Sequence, residues 1–247
     1  MSNQPQLPGV RWGRGDFPRV TAVSNAVRRY TKSQGLPYQP PSHYQGIRAD
    51  PNNIAAIGLE VRAQQGVPIH VSPNLQESYK SLVEGINSQY DFLTGPTHEG
   101  GMGIAVEVQH DEPYPQVKDA RSDLKAGRIR VLGTAGASGT GQHAHPILST
   151  EINDKFRAIH DVFGHLAIGR DTSRHGEEAA VQHHAQMFPP EAHSALFTEL
   201  RGQNSSLIFN REFPENKPYD LPEWATTVTA RPPQPKPRSD GEQLGLF

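Results

Sequence analysis

The sequence contains no cysteine. Disulfide bonds, thiolate metal ligands and a cysteine nucleophile are therefore excluded together. The chain also has no run of roughly 18 apolar residues that could cross a membrane, and its beginning lacks the apolar core of a signal peptide. We therefore expect a cytoplasmic protein that does not enter a membrane. Any metal site must consist of histidine and carboxylate side chains.

Positive charge is not in excess either. The chain has 24 Lys and Arg residues against 26 Asp and Glu residues, which gives a net charge of −2. Binding to nucleic acid through a generally basic surface is therefore excluded, although a local basic patch is not.

Glycine and proline, in contrast, are abundant, with 23 and 22 residues among 247, and they are unevenly distributed. Such a distribution indicates long loops and unfolded ends around a compact centre. We therefore divide the chain into a flexible lead at 1–18, a central domain at 19–229, a Pro-rich linker at 230–242 and a terminal peptide at 243–247.

Hydrophobic periodicity predicts that this domain is mainly helical. Helices are expected over 20–30, 54–61, 75–93, 150–167, 176–188 and 190–202. Two apolar segments, 103–108 and 128–132, are predicted strands with a helical segment between them, and a loop is expected after Asn204. The predicted fold is α+β, a mainly helical single domain with a small β-α-β element and disordered termini.

Histidine is concentrated in one part of the chain. Six of the twelve histidines lie between residues 160 and 193. Neutral imidazole is a common metal ligand, and it titrates near neutral pH. A metal site and an acid-base site are therefore the chemical explanations, and solvated surface histidines are the alternative. The six residues are His160, His165, His175, His183, His184 and His193.

His160 and His165 lie in an apolar helical context, where a buried polar pair must find partners. On an ideal α-helix the two side chains are roughly 140° apart around the axis. They can bind one metal only if the helix ends or is distorted near Gly164. Asp161 and His165 form the alternative pair on one helix face, and an ordinary hydrogen bond would explain that pair.

The pattern His-Asp-x-x-Gly-His at 160–165 resembles the His-Glu-x-x-Gly-His motif of the pterin-dependent aromatic amino-acid hydroxylases, in which both histidines bind a mononuclear iron. The segment 195–202 is similar to the family segment whose Glu completes the set of ligands, and Glu199 is the matching carboxylate with an offset of one residue. No segment resembles the pterin-binding or substrate-binding parts of the family. Aromatic amino-acid specificity is therefore not implied.

The resemblance implies a site of two histidines and one carboxylate, with open positions for O₂ and a substrate or co-reductant. It assigns His160, His165 and Glu199 as metal ligands, and Fe(II) as the expected metal, with Zn or Mn as alternatives. Asp161 is expected to orient a ligand imidazole, and Arg201 to act as a catalytic or substrate contact. The competing carboxylates Glu177 and Glu178 open a predicted helix, where acidic residues are favourable in any case, and Glu178 is the alternative third ligand.

Two other patterns leave alternatives open. His160-Asp161 also resembles the His-Asp doublet of metal-dependent phosphohydrolases, for which His143 or His145 and Asp220 would be the distant partners. The glycine-rich segment 133–141 follows a predicted strand but lacks the Lys-Ser/Thr of a phosphate-binding loop. It is therefore interpreted as a linker, a cover over the histidine site or a nucleotide-binding loop.

The terminal peptide at 243–247 is rich in apolar residues and directly follows the Pro-rich linker. This terminal peptide resembles the Gln-Leu-x-Leu-Phe peptide by which bacterial replication and repair proteins bind the DNA polymerase sliding clamp. The resemblance implies the clamp as a partner and a DNA base, nucleotide or DNA structure as substrate. The matching residues are Gln243, Leu244, Leu246 and Phe247.

The two resemblances together imply that 19–229 is a metal-binding catalytic domain, a non-heme iron oxygenase or hydroxylase, and that it is recruited to replicating DNA. The alternatives are a metal-dependent phosphohydrolase that acts on nucleotides and a non-enzymatic protein that binds the sliding clamp.

Overall fold

The computed structural model describes residues 15–134 and 145–228. Helices make up 59% of the described residues, which also include a small two-stranded sheet. The predicted class, a mainly helical α+β domain, is therefore confirmed. The terminal peptide and most of the glycine-rich segment lie outside the described residues. In the part of the chain that is described, no helix combines the length and the apolar character needed to cross a membrane.

The first half of the domain is helical. Its helices are α1 (Thr21–Ser33), α2 (Pro41–Tyr44), α3 (Pro51–Ala63) and α4 (Pro73–Thr94). The start of α4 is capped by Ser72, whose hydroxyl accepts a hydrogen bond from the backbone N–H of Leu75. The predicted apolar face of α4 is buried, so this long helix lies in the centre of the domain.

The predicted β-α-β element is also confirmed. Strand β1 (Ala105–Gln109) pairs in parallel with β2 (Arg128–Leu132), and α5 (Ala120–Lys125) lies between them in the sequence. Ile129 and Val131 are buried beneath the helices. A parallel pair needs a crossover connection, which α5 and the turn before it provide.

The second half carries the histidines on helices of two kinds. In chain order these are α6 (Thr150–Ile159), a π-helix (His160–Leu166), α7 (Arg174–Ala185), α8 (His193–Phe197), a second π-helix (Thr198–Gly202) and α9 (Gln203–Asn210). Short 3-10 turns lie at Thr97–Glu99, Val117–Asp119, Pro190–Ala192 and Glu223–Ala225.

The loop expected after Asn204 is wrong, because α9 continues to Asn210. This helix buries Leu207 and packs against α3. The approach is close at Gly58, where a Cβ atom would lie 2.7 Å from the Cβ atom of Phe209. The contact with α3 stabilises a helix that is too short to be stable alone.

Helix α4 packs against α6 and α8, and the first π-helix packs against α7. Phe163, on this π-helix, is fully buried in the main core. Burying a Phe side chain contributes about 1.5–3 kcal/mol to stability. The π-helix that carries the histidine pair is therefore fixed by the core.

Candidate metal centre

The two motif histidines come together because their helix is a π-helix. Its hydrogen bonds join residues five positions apart, so His160 and His165 lie on the same face instead of roughly 140° apart. The ring centroids are 5.0 Å apart and the rings meet edge to face. The helix distortion that the sequence analysis required is therefore present.

Gly164 provides the space that this arrangement needs. A Cβ atom at this position would lie 3.0 Å from Nδ1 of His160 and 3.4 Å from the carbonyl oxygen of Ala180 on α7. The first distance is tighter than an ordinary van der Waals contact, so the His160 ring would have to move if a side chain were added. The glycine therefore allows the His160 ring and α7 to approach the π-helix closely.

The third residue of the cluster is Glu177, in the first turn of α7. Its Oε2 lies 3.5 Å from Nε2 of His165 and 3.9 Å from Nε2 of His160. Ligand atoms of these three residues all lie within 4.8 Å of one another. Two ligands that each lie about 2.1 Å from a metal, at right angles to one another, are about 3 Å apart, so the ligand atoms would move closer together to bind one ion.

Both imidazoles form their described hydrogen bonds through Nδ1, so their Nε2 atoms face the cluster. Nδ1 of His165 lies 3.0 Å from the carbonyl oxygen of Arg170, which can only accept, so Nδ1 donates. The neutral His165 ring therefore has its lone pair on Nε2. Nε2 of His160 is buried and has no hydrogen-bond partner in the described structure. A buried polar atom without a partner is costly, and a metal ion would satisfy it.

Charge also favours a cation at this cluster. Burial alone would raise the pKa of Glu177, but the neighbouring His165 and His160 lower it below its usual value. Burial opposes protonation of His165, but the attraction of Glu177 outweighs it and raises the pKa of His165 to about 9. Burial lowers the pKa of His160. A divalent cation would replace the proton that His165 otherwise holds beside Glu177.

Glu199, the predicted third ligand, lies on the second π-helix and is held by other groups. One carboxylate oxygen accepts a hydrogen bond from the hydroxyl of Tyr79 and lies 3.2 Å from Nε2 of His145. The other accepts from Gln203 at 2.8 Å. Among the described residues, Glu177 and not Glu199 joins the histidine pair. The sequence placed Glu177 near the site but offered helix-end stabilisation as its explanation.

Glu177 and Glu199 line the same cavity, which has a volume of about 350 Å³. The charged residues that line it are the carboxylates Glu112, Asp161, Glu177 and Glu199 and the cation Arg157. Its amide side chains are Gln116, Asn153, Gln203, Asn204 and Asn216, and its aromatic rings are Tyr114, Phe156 and Phe213. The cavity thus combines apolar walls with many hydrogen-bonding groups and an excess of negative charge.

Asp161 lines this cavity but does not belong to the group of metal-ligand atoms found among the described residues. Burial, together with the charges of Glu112 and Glu177, raises the pKa of Asp161 to about 6 despite the opposing effect of His165. The predicted role of Asp161 in orienting an imidazole remains a prediction.

Arg201, the other predicted catalytic residue, is buried away from the cavity lining. Its guanidinium donates to both oxygens of Glu178, at 3.0 and 2.7 Å, and to the carbonyl oxygens of Ala225 and Thr227. These contacts tie α7 to the last described segment. The geometry therefore gives Arg201 and Glu178 a structural role and supplies no support for a catalytic one.

The partners required by the phosphohydrolase alternative are not brought together in the described residues. Nδ1 of His145 accepts hydrogen bonds from the backbone N–H groups of Ile147 and Leu148, and its Nε2 faces Glu199 rather than Asp161. Asp220 is exposed and does not line the cavity. His143 lies outside the described residues.

Two other predicted features also fall largely outside the described residues. Of the glycine-rich segment, Gly133 and Thr134 are described, and Thr134 donates to the carboxylate of Asp154. The predicted clamp-binding residues, at 243–247, are not described.

We compared the chain with models of known protein families, with curated proteins and with solved structures, and none of them matches it. The function must therefore be inferred from the chemistry of the cluster and the cavity.

Proposed function

We propose that this protein is a mononuclear metal enzyme in which His160, His165 and Glu177 bind one divalent cation. The observation that carries the proposal is the convergence of two imidazole Nε2 atoms and one carboxylate within 4.8 Å at the wall of a cavity. The unpartnered Nε2 of buried His160 fits this interpretation. Glu177 takes the ligand position that the sequence resemblance gave to Glu199.

We propose Fe(II) as the metal and an oxygenase or hydroxylase as the activity. Two histidines and one carboxylate that leave other positions open are the ligand set of non-heme iron oxygenases, where Fe(II) supplies the redox chemistry for reaction with O₂. Zn and Mn are the alternatives. They are distinguished by the metal that co-purifies and by the need for O₂.

The remaining residues of the cavity hold the ligands and the substrate. Asn204 donates a hydrogen bond of 3.2 Å to Oε2 of Glu177 and so fixes the carboxylate. Gln203 does the same for Glu199. The rings of Phe156 and Phe213 provide apolar surface that excludes water from part of the cavity.

The proposed substrate is an uncharged, hydrogen-bonding group about the size of a nucleobase. A volume of about 350 Å³ is at the lower end of the range for small-molecule sites, roughly 300–1,000 Å³. Four carboxylates and one arginine among the charged lining residues disfavour a polyphosphate, because like charges repel in a site of low dielectric constant. This charge balance supports oxygenation of a base over hydrolysis of a nucleoside phosphate.

Recruitment to DNA forms a second part of the proposal. The Gln-Leu-Gly-Leu-Phe peptide at 243–247 would bind the bacterial sliding clamp and bring the catalytic domain to replicating DNA. This part depends on the sequence alone and is tested separately.

The metal proposal is tested by purification under anaerobic conditions followed by elemental analysis and Fe(II) titration. We expect one iron per chain in the wild type and loss of stoichiometric binding in His160→Ala, His165→Ala and Glu177→Gln. Glu84→Gln is the matched control for the last variant, because Glu84 is exposed and does not belong to the cluster. Full iron occupancy in all three variants would overturn the proposal.

The oxidative activity is tested by following O₂ consumption with Fe(II) and an added electron donor such as ascorbate, corrected for the rate with free iron, in the wild type and in the same variants. We expect uncoupled O₂ turnover only when the three ligands are intact. Hydrolysis of nucleoside phosphates with Mn²⁺ or Mg²⁺ that is lost in Asp161→Ala would instead establish the phosphohydrolase. A metal-free protein that still binds the clamp would favour the non-enzymatic alternative.

A further inference from the structure

Two buried polar side chains lie behind His160, on the far side from Glu177. His184, on α7, and Gln89, on α4, are both completely buried. Burying polar groups is costly unless their hydrogen bonds are satisfied. Neither residue belongs to the group of metal-ligand atoms or lines the cavity. The proposed metal binding therefore does not by itself explain them.

The donor and acceptor of each hydrogen bond between Gln89, His184 and His160 can be assigned, starting from Gln89. Its amide Nε2 donates to the backbone carbonyl of Met187 at 3.1 Å, which turns the amide oxygen toward His184. That oxygen lies 2.8 Å from Nε2 of His184. Because an amide oxygen can only accept, Nε2 of His184 carries the hydrogen.

The hydrogen bond between His184 and His160 can then be assigned. His184 is completely buried and neither of its described hydrogen-bond partners is an acid, so the ring is neutral and its Nδ1 has a lone pair. Nδ1 of His160 lies 3.1 Å from that atom and must donate to it. His160 is thus the Nδ1–H tautomer, and its Nε2 directs a lone pair toward the position between His165 and Glu177.

We infer that Gln89 and His184 are positioning residues that hold His160 in the tautomer able to bind a metal through Nε2. The hydrogen-bonded side chains of Gln89, His184 and His160 form what we call the relay. The inference rests on the proposed function for its consequence, which is metal affinity. The hydrogen-bond direction on which it depends is a property of the metal-free protein.

The relay also fixes the His160 ring in space. It joins α4, α7 and the first π-helix through three buried side chains. Partners of this kind orient ligand imidazoles, and their loss typically lowers metal affinity about 10–100-fold. We expect the relay residues to contribute an effect of that size.

Neighbouring His183 provides a matched control, because it is equally buried but points elsewhere. Its Nδ1 lies 2.7 Å from the carbonyl oxygen of Phe163, and it has no contact with His160 in the described hydrogen bonds. A change at His183 should disturb packing to a similar degree without altering the His160 tautomer.

The first experiment reads the tautomer in metal-free protein from long-range ¹⁵N–¹H correlation spectra. We expect His160 in the Nδ1–H form in the wild type and in His183→Gln. In His184→Phe and Gln89→Met, which remove the acceptor or its orientation, we expect a shift toward the Nε2–H form. An Nε2–H form of His160 in the wild type would overturn the inference even if no variant folds.

The second experiment measures Fe(II) affinity in the same proteins under anaerobic conditions, with circular dichroism as a check of folding. We expect an affinity loss of about 10–100-fold in His184→Phe and Gln89→Met. We expect rescue in His184→Gln, because its amide can donate to Gln89 and accept from His160. Wild-type affinity in folded His184→Phe and Gln89→Met would overturn the inference.

The failure of the inference and the failure of the proposed function give different results. If the wild type binds no metal but keeps the Nδ1–H tautomer, the metal proposal fails and the relay persists only as a structural network, which overturns its role in positioning. If the wild type binds iron and the relay variants bind it equally well, the relay alone is wrong.

Discussion

The hydroxyl of Tyr79, on α4, donates a hydrogen bond to the carboxylate of Glu199, on the second π-helix, 120 residues further along the chain. Burial and the Glu199 charge raise the pKa of Tyr79 well above its usual value, so the phenol remains a donor. The carboxylate that sequence resemblance assigned to the metal is therefore engaged by donors. Glu177 stands beside the histidine pair instead.

The first prediction separates these two carboxylates. Glu177→Gln should abolish stoichiometric Fe(II) binding at micromolar iron, because only two strong ligands remain. Glu199→Gln should retain one iron per chain, since Glu199 is outside the ligand group. Isothermal titration under anaerobic conditions measures both. The opposite order of affinities would return the ligand role to Glu199.

The second prediction concerns Gly164, which lies against the ring of His160. Gly164→Ala should destabilise the fold by about 1–3 kcal/mol, because the added methyl group would lie 3.0 Å from Nδ1 of His160. Displacement of the ring should also weaken Fe(II) binding. Urea unfolding and metal titration test both effects. Gly46→Ala is the control, since nothing lies within 4 Å of the added atom. Wild-type stability and affinity in Gly164→Ala would contradict the prediction.

The sequence predicted the elements whose signals are local. The apolar face of α4 is continuous, and the need for a distorted helix at Gly164 followed from the five-residue spacing of His160 and His165. Both features are present.

The features that sequence analysis missed depend on contacts between distant segments. Helix α9 is stabilised by packing against α3, which a local pattern does not reveal. Glu177 was difficult to distinguish from an ordinary acidic residue at a helix start until the fold placed it beside His165. One partner of Glu199 is Tyr79, far earlier in the chain. The sequence resemblance therefore pointed to the segment that carries the histidine cluster but did not determine which carboxylate lies beside the histidines.

The third prediction concerns the pH dependence of the metal-free protein. The pKa of His165 is raised from 6.5 to about 9. Its stabilising contribution is therefore complete below about pH 6.5 and is lost as the pH rises through 9. The pKa of Glu177 is lowered from 4.5, so its contribution is present above 4.5 and is lost as the pH falls through the lowered value. The pair therefore stabilises the protein most between these limits.

The measurement is urea unfolding with a chelator present at pH 6.5 and pH 9.5. Asp161, whose pKa is about 6, is largely ionised at both values and contributes little to the difference. We expect the free energy of unfolding to fall by an amount on the order of 3 kcal/mol between the two values. The decrease should be absent in His165→Gln. An equal decrease in that variant would assign the effect to other groups.

The fourth prediction is that the terminal peptide binds a bacterial sliding clamp independently of the metal. Burying a Leu or Phe side chain in an apolar groove contributes about 1.5–3 kcal/mol before the cost of ordering the peptide. Micromolar affinity is therefore expected for so short a segment. Calorimetry with the full chain measures it. Deletion of 243–247, or replacement of Leu246 and Phe247 by Ala, should abolish binding.

Two controls connect this result to the rest of the chain. The metal content should be the same with and without residues 243–247, because the cluster at His160, His165 and Glu177 lies within the described domain. A synthetic peptide spanning 239–247 should compete with the full chain for the clamp, since the proposed contacts all lie within it. The affinity expected for a buried Leu and Phe is micromolar. If the full chain does not associate with the clamp of its host at tens of micromolar, the proposal of recruitment to DNA is wrong. The support for a DNA base as substrate then reduces to the size and charge of the cavity.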